Sequence, residues 1–244
     1  MGKRIISRAR GKAGLQYRSK GFRFLGRVSY PPSKQVSGKS GVVKDILNDP
    51  SRSAPVAVVK FPWLKEDVLQ IAPDGLHVGD KIEYDGGADL GNVLELKDIP
   101  VGVKIFGLEN TPNSGPKLCR SSGSFATIMS KSENKVVVKF SSGKTRNLSN
   151  RCRATIGVPA GGGRKEKPWL KAGKKHKAMR ARGKLYPRSS GVAMTATDHP
   201  YGGSGRKAPR PSGTTSRNAP PGKKVGSVGA RRTGRKKGSK AKKR

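Results

Sequence analysis

Acid–base or metal chemistry would have to be built from very few residues in this chain, which has three histidines and two cysteines in 244 residues. Asp198 and His199 stand side by side in GVAMTATDHPYGGSG, residues 191–205. A carboxylate beside an imidazole can orient a general base, provided a rigid support holds both against a nucleophile in a water-excluding cleft. Here Pro200 and Gly202-Gly203 follow the pair in a segment with no apolar core, so that support is missing. The glycines suit close approach to another surface, and His199 or Tyr201 can stack on an exposed base. His77 reads as a turn or barrel-surface residue, and His176 belongs to the basic run KAGKKHKAMRARGK. The three histidines never reach metal-ligand spacing, so neither a metal site nor a cofactor is expected.

Other fragments resolve in the same direction. GKS at 38–40 and GKT at 143–145 resemble the end of a phosphate-binding loop, but Ser33 and Val138 stand where that motif needs its first glycine. GKT fits hairpin chemistry instead. In AGGGRKEKP, residues 160–168, Gly161, Gly162 and Gly163 permit a close backbone approach, with amides turned to phosphate and Arg164 and Lys165 adding charge. A flexible linker explains the same glycines equally well. Cys119 and Cys152 are far apart with no CxxC, which predicts two reduced, mostly buried thiols. Asp74, Asp80, Glu83, Asp85 and Asp89 fit no calcium loop and read as a solvated face that keeps polyanions from binding there indiscriminately.

The elements that must position these residues follow from charge and hydrophobic pattern. The formal net charge is +38, a field that draws polyanions, nucleic acid first and an anionic membrane second. The longest apolar run is APVAVV at 54–59, far short of a span, so no membrane partner is expected. MGKRIISRARGK lacks the apolar stretch of a signal peptide, and Ile6 breaks a myristoylation motif; the protein reads as cytoplasmic. Residues 45–109 hold 12 of the 15 acids, whereas 167–244 hold 24 bases and one acid. The middle can fold and the ends are cationic.

VVKDIL (42–47), PVAVVKF (55–61), VLQIA (68–72), KIEY (81–84), NVLEL (92–96) and VKIFGL (103–108) read as six short strands separated by turn-forming PDG, YDGG and IPVG. They predict one small β-barrel. SFATIM, KVVVKF, KTRNL and CRATIGV, with SSG at 141–143 closing a hairpin, predict a second. Each is near the lower size for independent folding, so the two should pack together or lean on a partner. The domains expected are a basic N-terminal extension (1–36), a first RNA-binding barrel (37–109), a second barrel (110–169) and a basic, glycine-rich C-terminal extension (170–244). Glycine and proline among the charges argue for extended rather than helical tails, able to thread grooves in folded RNA. Two tryptophans, six phenylalanines and five tyrosines are too few for a binder built on arrays of stacked bases.

AGGGRKEKPWLKAG (160–173), GVAMTATDHPYGGSG (191–205), RNAPPGKKVGSVGARRTGR (217–235) and CRATIGV (152–158) resemble the universal large-subunit ribosomal protein L-two family (uL-two). The short N-terminus and the ending look like its archaeal and eukaryotic-cytosolic branch. Tyr201, Ser204 and Thr195-Ala196 stand where the family pattern has a second histidine, a third glycine and Asn-Pro. The resemblance implies an all-β fold, an OB-like barrel followed by an SH3-like barrel, with long basic tails entering large-subunit rRNA. It also implies a primary rRNA binder and not an enzyme, which supports subunit association, tRNA placement and assembly of the peptidyl-transferase region. Its partners would be large-subunit rRNA, neighbouring ribosomal proteins and the small subunit across the intersubunit face.

The rRNA contacts expected begin with Arg4, Arg8, Arg10 and Lys12 at the N-terminus, Arg120 and Arg153 in the second barrel, and Gly161, Gly162, Gly163 and Arg164 in the glycine tract. They continue through Lys171, Lys174, Lys175, His176, Arg180, Arg182, Lys184 and Arg188, then Met194, His199, Pro200 and Tyr201. Arg206, Arg217, Lys223, Lys224, Arg231, Arg232 and Arg235 complete the set. Two other classes fit parts of this pattern. A chromatin-compacting protein also needs cationic tails but would bind duplex DNA as well as rRNA, and an acyl-transfer enzyme centred on His199 would show turnover in the free protein.

Overall fold

The computed structural model describes residues 5, 10–12, 14, 17–18, 21–203 and 213–230. The chain divides into two compact units, one formed by residues 20–170 and the other by 1–19 with 171–244.

The first unit is all-β apart from short helical turns such as α1 (Ser33–Val36), and its two curled antiparallel sheets are the OB-like and SH3-like barrels in chain order. In the first sheet β1 (Ser40–Leu47), β2 (Val56–Lys60), β3 (Val68–Ile71) and β4 (Lys81–Glu83) are ordered β3-β2-β1-β4. In the second, β5 (Val93–Glu95), β6 (Lys104–Phe106), β7 (Ala126–Lys131), β8 (Lys135–Phe140), β9 (Thr145–Ser149) and β10 (Arg153–Ile156) are ordered β5-β10-β6-β7-β8-β9. Alternation sends Val43, Val59 and Ile82 into the first core and Ile128, Val136, Val138 and Leu148 into the second. Each such side chain contributes about 1.5–3 kcal/mol by leaving water.

Every expected run forms a strand, but two change barrels. NVLEL and VKIFGL, expected in the first barrel, pair instead on either side of β10, with Leu94 opposite Ala154 and Phe106 opposite Thr155. The physical reason is that periodicity identifies a strand without naming its partner. β5 is a seam: Val93 packs in the first core and Leu94 in the second. Val28, Tyr30 and Val36, within the stretch expected as a basic extension, are also buried. The 141–143 hairpin forms as read, with Gly143 N–H donating to Phe140 O at 2.8 Å and a φ of 80° that suits glycine.

A buried polar joint fastens the barrels. Glu109 and Arg153 are 0% and 2% exposed, and Arg153 Nη2 lies 3.0 Å from Glu109 Oε1. The carboxylate also accepts from the backbone N–H of Asn113, Gly115 and Arg153 at 2.9–3.1 Å. Arg153 Nη1 donates to Pro31 O at 2.7 Å, and its guanidinium lies 5.4 Å from the centre of the Tyr30 ring. Tyr30 in turn donates to Gly107 O at 2.9 Å and shares a 2.6 Å hydrogen bond with Thr155 Oγ1, and its burial pushes the phenol well above its ordinary pKa. The entry to the first barrel is thus tied to strands of the second. Among the described residues, Arg153 Nε is the one buried side-chain nitrogen or oxygen without a partner.

The second unit contains the other departure. Residues 172–181, AGKKHKAMRA, form helix α2 (Ala172–Ala181) where an extended tail was expected. Averaged over 170–244 the chain is rich in glycine and proline, but this window has no proline and its alanine, lysine, arginine and methionine favour helix. Gly183, at φ 63°, follows its end. Further on, β11 (Thr214–Thr215) and β12 (Ser227–Val228) form a short parallel pair.

Breaking the joint from one side leaves a buried charge uncompensated. Glu109→Ala is expected to cost about 3–5 kcal/mol. Thermal melts of the full chain check this, against an exposed control such as Glu133→Ala that should shift the midpoint little.

Candidate nucleic-acid interface

The expected contacts fall into distinct physical situations. Arg4, Arg8, Arg206, Arg231, Arg232 and Arg235 lie outside the described residues, as does the side chain of Arg10. Lys12, Arg120, Arg164, Lys171, Lys174, His176, Arg180, Lys184, Arg188, Arg217, Lys223 and Lys224 are exposed. Lys175, Arg182, Met194, His199 and Tyr201 are half-buried, and Pro200 is exposed. Arg153 is a correction: its guanidinium serves the buried joint and has no surface to offer a phosphate. A sequence signal was available, because Glu109 is the only carboxylate between Asp98 and Glu133, a lone acid that needs a cation once buried.

The glycine tract is neither a free linker nor a detached loop. Pro159 O accepts from Gly123 N–H at 2.9 Å, and a Cβ on Gly123 would stand 2.9 Å from Gly162 Cα. Two glycine backbones therefore lie closer than side chains allow. Arg164 Nε reaches Ser122 Oγ at 3.4 Å from the same turn, and Gly161, Gly162 and Gly163 keep an exposed outer surface. The tract thus carries Arg164, Lys165 and Lys167 on a support.

Helix α2 carries Lys174, Lys175, Lys177 and Arg180, no acid and no buried residue. Lys175, Ala178, Met179 and Arg182 form a partly covered stripe, and Lys174, His176, Lys177 and Arg180 are exposed on the remaining surface. Lys175 Nζ lies 5.0 Å from the centre of the Tyr186 ring. Like charges three and four residues apart destabilise a helix, and no carboxylate stands in its first turn. Its electrostatics are therefore improved by a polyanion. Lys177 on this helix, and Lys135, Lys139, Lys144 and Arg146 around the β8–β9 hairpin, are also exposed and were not among the contacts expected from sequence. The outward positions of the alternation were the available signal.

The His199 loop is held by its own backbone. Thr195 O accepts from the N–H of Asp198 and His199 at 3.1 and 3.2 Å, and Gly203 N–H donates to Met194 O at 3.2 Å. A Cβ on Gly202 would overlap the Thr195 and Met194 carbonyls, and one on Gly191 would overlap the His199 ring. His199 Nδ1 accepts from Tyr201 N–H at 3.1 Å, which leaves Nε2 as the nitrogen that can donate. The two rings lie 5.0 Å apart, and the Tyr201 hydroxyl is within hydrogen-bonding reach of Gly213 O and Val225 O. This arrangement presents a donor and two ring edges, with the nitrogen a general base would need already engaged.

The remaining chemistry-bearing groups do other work. Asp80 accepts from His77 N–H at 2.7 Å, stabilising a turn, and Asp49 is fully buried, with Arg52 Nε 2.8 Å from its Oδ2. Asp74, Asp85 and Asp89 are exposed, and Asp80 and Glu83 are half-buried. Among the described residues no group of three or more histidine, cysteine, aspartate or glutamate side chains is placed to hold a metal ion, and no helix is long and apolar enough to cross a membrane. Both cysteines are free thiols; Cys152 is buried and Cys119 half-buried. Burial pushes the Cys119 thiol from 9.0 up to about 11. That contribution to stability is intact below pH 9 and is lost as pH rises through about 11. Cys119 should therefore alkylate roughly a hundredfold more slowly at pH 8 than an unstructured cysteine of the same chain. Iodoacetamide labelling of folded and urea-unfolded protein, read by peptide mass, checks this.

Comparison with known proteins adds to this geometry. Residues 3–84 match the family described as "Ribosomal Proteins L2, RNA binding N-terminal domain", and residues 89–241 match "Ribosomal Proteins L2, C-terminal domain". The large ribosomal subunit protein uL2 of Methanothermobacter thermautotrophicus is 47% identical over 240 residues, covering 96% of this chain and 99% of the relative. That of Methanococcoides burtonii is 46% identical over 237 residues, covering 96% and 100%. The Haloquadratum walsbyi protein is 44% identical over 237 residues, covering 96% and 97%.

Proposed function

Because the chain belongs to the ribosomal protein L2 family, we propose that it is a structural constituent of the large ribosomal subunit in the cytoplasm, bound directly to rRNA and lying among neighbouring ribosomal proteins. The observation that carries this reading is the match to both family domains, the first described as RNA binding, on a chain whose exposed side chains are so heavily cationic. The barrels supply a stiff, jointed body. The glycine-tract arginine, the exposed surface of α2 and the basic residues of the 213–230 segment supply phosphate contacts. Counterion release then makes association strong and salt-dependent, with rRNA rather than protein providing any chemistry.

The finer roles rest on the same premise. The His199 loop, with Nε2 free to donate and a tyrosine ring beside it, is suited to meet a 2′-hydroxyl, a phosphate or an unstacked base near the peptidyl-transferase region. We assign it to assembly of that region, and through it to tRNA placement. Subunit association follows from holding rRNA at the face that meets the small subunit. Apart from Arg153, the contacts expected from sequence remain part of this proposal, including those outside the described residues.

Two measurements test the reading. The tagged chain should sediment with large subunits, and RNA crosslinked to it in cells should cluster at a few sites of one large-subunit rRNA; hits dispersed over messenger RNAs would overturn it. Replacing Lys174, Lys177 and Arg180 together by alanine should weaken rRNA binding and lower the slope of log K against log salt by about 2–3, at roughly 0.7–0.9 per lost phosphate contact. An unchanged slope would remove α2 from the interface.

A further inference from the structure

One exposed aromatic of the first barrel is built differently from the cationic surfaces above. Trp63, in the turn that follows β2 and three residues past its end, is 39% exposed. Its ring rests 5.4 Å, centre to centre, from that of Phe61, tilted by 52°. Phe61 is fully buried and packs edge-on against Tyr84 at 5.7 Å. A Cβ on Gly41 would run into the Phe61 ring, so the missing side chain on β1 is what lets Phe61 sit there. The indole is therefore mounted on a rigid base, with low entropy left to lose on binding.

A cation lies on that ring, and the exposed acids nearby in sequence, Glu66 and Asp67, follow Lys65, with Asp67 paired to Lys44. Lys39 Nζ lies 4.8 Å from the indole centre, and among the described residues Lys39 makes no ion pair. Lys65, two residues beyond Trp63, is exposed. On the outer face of the sheet Val42, 44% exposed, stands in register with Lys60 on one side and Lys81 on the other. An apolar ring with an ammonium group lying on it suits a nucleotide: a flat π-surface for the base and a charge for its phosphate. In the free protein Lys39 covers the indole. A cation–π contact at an exposed site is weaker than base–indole stacking, and a lysine released to a phosphate keeps an electrostatic partner. The exchange therefore favours the nucleotide.

We infer that Trp63 and Lys39 form a stacking site on the first barrel for one unpaired base of the bound RNA, with Lys39 passing from the indole to the phosphate when the base arrives. This deepens the rRNA-binding reading and rests on it. A chain too poor in aromatics for arrays of stacked bases still has one ring fixed for a single base.

The test uses the full-length protein carrying Trp169→Phe, so that Trp63 is the only tryptophan, titrated with large-subunit rRNA while filter binding is followed in parallel. A stacked base should quench Trp63 emission, saturating at the RNA concentration that saturates binding. Trp63→Leu should weaken binding about tenfold, with Trp63→Phe restoring most of it. Lys39→Gln should lower the salt slope by about one contact, roughly 0.7–0.9. Because the quenching experiment leaves Trp63 in place, it decides the matter even if Trp63→Leu folds poorly. Tight rRNA binding with unchanged Trp63 emission would overturn the stacking site and leave the rRNA-binding function standing. No rRNA binding by the parent protein would overturn both. Emission that changes only when other ribosomal proteins are added would give the ring to a protein neighbour and overturn the site for RNA.

Discussion

The ion pair between Glu109 and Arg153 is the constraint on which the barrel unit depends. Two opposite charges removed from water are tolerable only when their remaining lone pairs and protons are also met. Glu109 meets this through three backbone amides and the guanidinium; Arg153 meets it through Pro31 O and Glu109, with Nε the single exception. Because those partners lie on separate stretches of chain, the pair is satisfied only when Tyr30-Pro31, the 109–115 loop and β10 are all in place. Removing one partner of such a pair is costly, although the pair as a whole adds little net stability over a well-packed apolar replacement.

That constraint bears on function because it separates two uses of arginine in one basic protein. An arginine inside the joint cannot answer a phosphate, whereas Arg164, on a glycine tract pressed against the 121–124 turn, is exposed to do so. The exposed acids of the first barrel, Asp74, Asp85 and Asp89, restrict where a polyanion can lie. Where the cations are held therefore differs from what their number alone would suggest. The His199 loop follows the same logic. Its glycines allow a tight backbone, one imidazole nitrogen is engaged by Tyr201 N–H, and the other is turned into a donor.

Much of this was legible in the sequence, and what was not has identifiable causes. All ten barrel strands and the 141–143 hairpin follow from alternation and turn residues, both local properties. The assignment of β5 and β6 to the second sheet was not legible, because β10, which lies between them, is some 50 residues away along the chain. Helix α2 was obscured by averaging: a ten-residue window of good helix formers sits inside a segment whose overall composition argues for extension. Lys174, His176 and Arg180, named from the sequence, are exposed on it, as is Lys177.

The sequence by itself determined the partner class, the strand content and the family. The formal count of charged residues is a sum over composition, alternation is written into consecutive residues, and long motifs survive as strings. Only the tertiary structure decided that Arg153 is withdrawn from the surface, that Gly123 and Gly162 meet, and that Trp63 is mounted on Phe61 beside Lys39. Burial and apposition join residues tens of positions apart, and a side chain's chemistry is set by those neighbours, which the linear order does not contain.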